Sequence, residues 1–481
     1  MPFEDEATLR KQLVSGAKWA TGVRIASQIF TWSVTLVMVR LLTPQDYGLN
    51  AMLEVPIELL FLFSTLGLDS AIIRFGKRDP TELSSTFGLL LLVNGALFLA
   101  LVVSAELIAE YFKEPRLAML VQVSALSFVL APFRTIPNAL LDMALEFKIK
   151  AQVELAAAII SSLIALGLAL AGAGVWALVT TMLMSAFLRA ALLAYFRPWI
   201  LRPRFDIGPV KELLKYGLVM MTGEAIRVFS GSALNLLAGP RIGAETLGLY
   251  AVARVFSTLP MSKIMPILQQ TLFPAFARLK EQPEVAKKYL LKSLELSSLI
   301  IFPVTIGMAC VSEHLVNVIF GEKWKTIAIP LSILSALMPI RLINQIFYAP
   351  LNALGHAKWV TMINLLNLAI VAAGAVTASR YGLLGLVYLS SISAILSAAF
   401  SVFIGRRKLD TGISDLYRAL KPATSGSLVM AIVLLIANQF IFKQPGVIWL
   451  AIEIICGGLI YYMMMFFLFK KTLDEVKSHI F

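Results

Sequence analysis

The chain reads as a succession of apolar runs, each about 20 residues long, separated by short bands of charge. About 20 residues of α-helix rise about 30 Å, the thickness of a bilayer's hydrocarbon core. Lipid offers no hydrogen-bond partners, so a run at that depth must close its own backbone bonds as a helix. Windowing and turn signals predict about 14 such helices, near residues 13–38, 46–66, 83–108, 117–140, 151–171, 175–196, 213–238, 247–275, 290–311, 327–353, 359–378, 383–404, 423–441 and 447–469. Composition points the same way. Of 481 residues, 58% are hydrophobic and only 15% charged, where a soluble domain carries about 25%. The expected fold is an all-α polytopic membrane protein without a soluble domain.

A net charge of +13 raises the question of nucleic acid. The positions of the basic residues argue against it. They fall in alternate loops, as the positive-inside rule demands, with both termini cytoplasmic. The strongest inside bands are Arg197/Arg202/Arg204/Lys211/Lys215, Arg278/Lys280/Lys287/Lys288/Lys292 and Arg406/Arg407/Lys408/Arg418/Lys421. Cys310 and Cys456 lie alone in apolar runs, and His314, His356 and His479 are scattered, so no metal-ligand spacing exists. Residues 1–12 are polar and acidic and lack the basic start and cleavage site of a secretory signal.

The halves repeat. Tyr47-Gly48-Leu49-Asn50-Ala51 matches Leu247-Gly248-Leu249-Tyr250-Ala251, offset by 200. Pro132-Phe133-Arg134 matches Pro339-Ile340-Arg341, offset by 207. A glycine turn at Gly172 finds its counterpart at Gly382. Two parallel six-helix repeats follow, and substrate sites tend to lie between such repeats. The expected organisation is a cytoplasmic segment 1–12, an N-lobe 13–196, a linker 197–212, a C-lobe 213–404, accessory helices 405–469 and a cytoplasmic tail 470–481.

Charged residues inside spans are expensive, at about 2.5–3.5 kcal/mol on insertion scales, and face the protein interior or a wet cavity. Arg134 and Arg341 sit at matching places and suggest a paired cationic wall; the plainer reading is that each snorkels or pairs locally. In the first helix Thr21, Arg24, Gln28, Thr31 and Thr35 form one stripe, with Lys18 at its edge. In the seventh, Glu224 and Arg227 are three apart and can pair. Such a pair either neutralises itself in the interior or leaves Glu224 to exchange protons. The eighth helix holds Arg254 and Lys263, nine apart, with Pro260, Pro266 and Pro274 able to bend it. Glu54 and Glu58 flank Pro56 in the second helix, as a proton or cation site or as ordinary interfacial acids. Glu453 is the one acid within the last two spans. The interior balance is basic, so its natural cargo is anionic. Diphosphate suits the forked donors of arginine.

Arg40-Leu41-Leu42-Thr43-Pro44-Gln45-Asp46-Tyr47-Gly48, the stretches Gly67 to Arg74 and Leu247 to Arg254, and Leu272 to Leu279 resemble the polysaccharide transporter family of Wzx-type oligosaccharide flippases. That family belongs to the multidrug/oligosaccharidyl-lipid/polysaccharide exporter superfamily, and the likeness covers about residues 10–470. The resemblance implies two pseudo-symmetric six-helix lobes plus two C-terminal helices (a MATE-like architecture) in a bacterial inner membrane. It implies alternating access that moves an undecaprenyl-diphosphate-linked glycan to the periplasmic leaflet for capsule, exopolysaccharide or O-antigen, alongside polymerase machinery. Related lipid II flippases hold diphosphate with basic residues on the first and eighth helices, where Lys18, Arg24 and Arg254 stand here. Many relatives carry an aspartate near the outer end of the seventh helix, where this chain has Asn235.

The expected substrate site is therefore Arg24, Arg134, Arg341, Arg254, Lys18, Lys263, Arg227 and Gln28. Glu224, Glu54 and Glu58 are the candidates for coupling to H+ or Na+. Neither a catalytic residue nor a cofactor is expected. A cation-coupled drug exporter would need acid in the first helix, which has none. A membrane-embedded polymerase or glycosyltransferase would need carboxylates placed for acid–base work and a large outer loop.

Overall fold

The computed structural model describes residues 28, 30–75, 79–144, 146–196, 202–441 and 446–470. Among them eleven helices are long and apolar enough to cross a membrane. The chain forms two compact units, Met1–Ala244 and Glu245–Phe481.

The first unit begins with α1 (Phe30–Leu41). After it come α2 (Pro44–Thr65), α3 (Leu68–Phe75), α4 (Pro80–Phe112), α5 (Arg116–Ser124), α6 (Leu126–Met143), α7 (Phe147–Leu170) and α8 (Val175–Phe196). A capping box starts α2. Thr43 Oγ1 accepts from the Asp46 N–H at 3.2 Å, and Asp46 Oδ2 accepts from the Thr43 N–H at 2.9 Å. Leu66 ends the helix in the left-handed region at φ 50. Gly67 follows at φ 66, so the expected second span bends there and continues as α3.

Outer and inner faces separate as a bilayer requires. Leu92, Leu99, Val103 and Leu107 form an exposed stripe along α4. On its other side Asn94 is 1% exposed. Its Nδ2 donates to the carbonyls of Ser64 and Leu90, and its Oδ1 accepts from Ser64 Oγ at 2.6 Å. Such bonds tie neighbouring membrane helices at about 0.6 kcal/mol each.

The long helix α9 (Lys211–Arg278) breaks at Gly243, where φ 77 and ψ 168 are non-helical. Residues 213–242, expected to open the second lobe, belong to the first unit. Val210 and Leu213 share a core with Leu68, Ile72, Leu90 and Ile136. Tyr111 OH donates to the Leu236 carbonyl at 3.0 Å. Two close approaches depend on glycine. A Cβ on Gly217 would lie 2.2 Å from the Leu66 carbonyl oxygen, and one on Gly48 would lie 1.6 Å from that of Ala244.

The second unit holds residues 245–278 of α9, then α10 (Pro283–Cys310) and α11 (Ser312–Leu315). A π turn (Val316–Phe320) and a 3-10 turn (Glu322–Ile327) follow. The tenth expected span is broken into α12 (Ala328–Ala336), α13 (Met338–Ile346) and α14 (Tyr348–Ala353). Beyond lie α15 (Ala357–Ser379), α16 (Gly382–Lys408), α17 (Ile413–Phe440) and α18 (Val447–Leu468). Its core joins Met265, Phe276, Leu294, Leu342, Ile346 and Ile404. Half of the α16 span is buried, against 17% for α18, which is peripheral.

Three expected spans are not among the eleven. The first lies largely outside the described residues. Those at 213–238 and 247–275 are helical within α9 but carry charged and amide side chains through their length. In the expected linker, residues 202–207 form no helix and a 3-10 turn (Gly208–Val210) leads into α9.

The Gly217 contact gives a direct test. Gly217→Ala drives a methyl into the Leu66 carbonyl and is expected to cost about 1–3 kcal/mol, seen as a lowered unfolding midpoint in detergent. Gly231→Ala, on the same helix with nothing within 4 Å, should leave the midpoint unchanged or raise it.

Candidate functional site

The intramembrane polar residues sort by what satisfies them. In the first unit α1 presents Thr31 and Thr35 to a cavity of about 320 Å3, also lined by Asn50 and Glu54 of α2, Ser162 of α7 and Thr181 of α8. The expected stripe of the first helix is therefore real over its described part, and its threonines meet open space. Gln28 is half-buried at the start of that part. Lys18 and Arg24 lie outside the described residues.

Glu54 accepts from Asn50 Nδ2 at 2.8 Å. The pair sits one helical turn apart, so local geometry suffices to make it. Glu58, one turn further, accepts from Ser232 Oγ of α9 at 2.8 Å. The two acids that looked alike in sequence thus have different partners: Glu54 faces the cavity, and Glu58 ties α2 to α9.

Arg227 and Glu224 form a two-pronged ion pair, with Arg227 Nε donating to Glu224 Oε2 at 2.8 Å. The expected pairing is present, and its side chains are 61% and 49% exposed. Glu58 also acts on Arg227 electrostatically.

Arg134 is half-buried on α6, with its guanidinium 4.6 Å from the centroid of the Phe61 ring. Cation–π contact of this kind recovers about 0.5–2 kcal/mol. It makes no ion pair among the described residues. Arg189 of α8 lies within reach of its field but spends its own charge on Glu154 of α7, at 2.9 Å. Glu154 acts on Arg134 electrostatically as well, so Arg134 lies beside that ion pair without joining it.

In the second unit Arg341 is half-buried on α13, and its Nε is buried without a hydrogen-bond partner among the described residues. Tyr250 and Arg254 are its electrostatic neighbours. Tyr250 is 2% exposed and shares a 2.6 Å hydrogen bond with Ser390. Arg254 is half-buried and makes no ion pair among the described residues. Arg341 and Arg254 thus lie within each other's field, and no carboxylate is among the groups that act on Arg341. Lys263 is not brought to it. Backbone angles from Arg254 to Lys263 stay helical, and nine residues at about 100° each place them on opposite sides of the helix. Pro260, Pro266 and Pro274 leave the helix unbroken; the break is at Gly243.

Asn235 is half-buried, and its Oδ1 has no partner among the described residues. The structure also joins two residues that separate reading could not: His314 Nδ1 lies 2.5 Å from Glu453 Oε1. The isolated acid in the last span was the only signal. Among the described residues no cluster of metal-ligating side chains occurs.

Comparison with known proteins gives the family. A family model described as "Polysaccharide biosynthesis protein" matches residues 37–329. The chain is 24% identical to the teichuronic acid biosynthesis protein TuaB of Bacillus subtilis (strain 168), over 98% of each chain. It is 28% identical to the lipopolysaccharide biosynthesis protein WzxC of Escherichia coli (strain K12), over 73% of this chain and 71% of the other. Among solved structures it shares its fold with the lipid II flippase MurJ in an inward closed conformation. The TM-score is 0.77 at 15% identity, covering 95% of this chain and 99% of the other. An inward-facing MATE transporter of the MOP superfamily aligns with TM-score 0.64 at 16% identity, covering 80% of this chain and 94% of the other. The family match spans more than half of the sequence, and the chain belongs to the polysaccharide biosynthesis protein family.

Proposed function

We propose that this protein is a lipid-linked oligosaccharide flippase, carrying an undecaprenyl-diphosphate-linked glycan from the cytoplasmic to the periplasmic leaflet of a bacterial inner membrane by alternating access. One observation carries the reading: Arg134 and Arg341 each hold a half-buried guanidinium within an apolar span, with no ion-paired carboxylate among the described residues. They lie roughly 14 and 18 Å from the nearer ends of their spans at 1.5 Å per residue. Charge placed there costs free energy and is explained by an anion that visits.

Diphosphate matches the task. Its oxygens accept two parallel bonds from a guanidinium, and Arg341 Nε is a donor without a partner. Arg254 adds a second positive charge near Arg341. Lys18 and Arg24 join this set by resemblance, and Gln28 by its place on the same stripe. Arg227 keeps Glu224 as its partner until a stronger anion competes. Lys263, on the far side of its helix, has no part in gripping the head. No covalent bond changes in such a cycle, so the protein is not an enzyme. The names of the relatives favour the same class of cargo: TuaB serves teichuronic acid biosynthesis, WzxC serves lipopolysaccharide biosynthesis, and MurJ is a lipid II flippase. The glycan polymerase machinery is the natural consumer of the product. Both termini face the cytoplasm in this reading.

Glu54 is the coupling site in this proposal. It is a carboxylate on a largely apolar cavity that also presents hydroxyls from Thr31, Thr35, Ser162 and Thr181 and the amide of Asn50, where a proton or Na+ would be held.

In a strain lacking its own flippase, Arg134→Ala and Arg341→Ala are expected to lower surface polymer about tenfold or more, the worth of one lost charge-assisted bond. Membrane insertion should be unchanged, and the Lys variants should fall between. Polymer output equal to the parent's from both Ala variants would remove the reading. In proteoliposomes, Glu54→Gln should abolish acceleration by an imposed H+ or Na+ gradient while leaving diphosphate-lipid binding intact. Retained gradient dependence would assign coupling elsewhere.

A further inference from the structure

One ion pair of the first unit has no part in the cycle so far. Arg189 of α8 lies about 10 Å inside the end of its span at Phe196, where charge is costly. Its Nη2 meets Glu154 Oε2 of α7 at 2.9 Å, and the two side chains are 32% and 43% exposed. This contact leaves Arg189 Nε buried without a hydrogen-bond partner among the described residues. In the Arg227–Glu224 pair the corresponding nitrogen donates to the carboxylate. Arg189 and Glu154 both act electrostatically on Arg134. One carboxylate therefore faces two guanidinium groups, and the three together carry an excess of positive charge.

Helical phase puts this cluster on the inner side of the unit. Leu178 and Met182 of α8, Ala165 of α7 and Glu54 of α2 all line the cavity that opens onto α1. Arg189 follows Met182 by seven residues and Leu178 by eleven. Either step comes within about 20° of whole turns. Glu154 precedes Ala165 by eleven, and Phe61, which holds the Arg134 guanidinium, follows Glu54 by seven. The cavity-lining stripes of α2, α7 and α8 thus run on to Phe61, Glu154 and Arg189, about 10–16 Å further along. Residues 171–174 join α7 to α8 in a short turn, so the start of α7 and the end of α8 lie at one end of the unit. In the proposed orientation that end faces the cytoplasm, where a lipid-linked head enters.

We propose that Arg189 is a second diphosphate-binding residue and that Glu154 is its counter-ion between cargoes. The inference rests on the transport reading and adds a residue to it. An arriving diphosphate draws Arg189 away from Glu154, and Arg134 and Arg189 each take one of its two phosphoryl groups. A phosphate offers a guanidinium two parallel charge-assisted bonds. A part-exposed ion pair holds its partners weakly by comparison. Once released, the Glu154 carboxylate turns to water. When the head departs, Glu154 recaptures Arg189, which keeps the diphosphate from being trapped between two arginines.

The test measures binding of undecaprenyl diphosphate and undecaprenyl monophosphate to the full-length protein in mild detergent, together with its unfolding midpoint. The parent should prefer the diphosphate. Arg189→Ala should weaken diphosphate binding about tenfold, the worth of one charge-assisted bond, and narrow the preference. Arg189→Lys, which keeps a charge for Glu154 and so preserves the fold, should lose part of it. Glu154→Gln should act in the opposite sense, tightening binding by up to about fivefold while lowering surface polymer. Adding Arg189→Ala to Glu154→Gln should remove the gain. A pair that only holds α7 to α8 would lower the midpoint in both single variants and tighten binding in neither, and that result would overturn the proposal. Diphosphate binding unchanged in both Arg189 variants but weakened in Arg134→Ala would remove Arg189 and leave the transport reading standing. A parent that does not bind undecaprenyl diphosphate, or binding insensitive to Arg134→Ala, would remove both.

Discussion

Absence of water from the bilayer core is the constraint on which this structure depends. Every backbone donor and acceptor at that depth must be matched from within the chain, and the α-helix matches them within one segment. Long apolar helices follow, and so do the places where they stop. Leu66 and Gly67 leave the helical region between α2 and α3, and Gly243 breaks α9. With its backbone closed, each helix is left to interact through side chains and through direct backbone approach. Gly217 exploits the second route against Leu66, where any larger residue would force the two segments apart.

The same constraint sorts the buried polar side chains. Asn94 closes its bonding within the protein, giving two bonds to carbonyls and taking one from a hydroxyl. Asn344 and Asn367 each accept from a serine on α16. These bonds hold helices together. Arg341 Nε and Glu453 Oε2 are different, since each is buried with an unused bonding capacity. The first is a cationic donor and the second an anionic acceptor, in separate places within one unit.

Periodicity and run length made most of the helices legible in the sequence. The stripe containing Thr31 and Thr35 was legible too, because residues three and four apart must share a face. Glu224 with Arg227 followed from the same rule. Its exposure did not, since burial depends on what packs alongside. Lys263 was grouped with Arg254 by composition, and helical phase separated them once Pro260 proved compatible with a continuous helix. The tenth span looked continuous in its window, yet it is three short helices, with Pro339 and Pro350 in the first turns of α13 and α14, because a hydropathy window does not register where proline interrupts a helix. Residues 213–242 were placed in the second lobe by counting, but Leu213 shares its core with Leu68, Ile72 and Ile136 of the first unit.

The sequence by itself determined that this chain is a bundle of membrane-length helices with an excess of basic groups inside. Transfer energy and helical phase are local quantities, readable from a window of about 20 residues. Only the tertiary structure decided which polar groups are spent and which remain open. His314 meets Glu453 across 139 positions of chain, and Glu58 meets Ser232 across 174. Those meetings depend on how each helix is rotated and packed, which no single window contains.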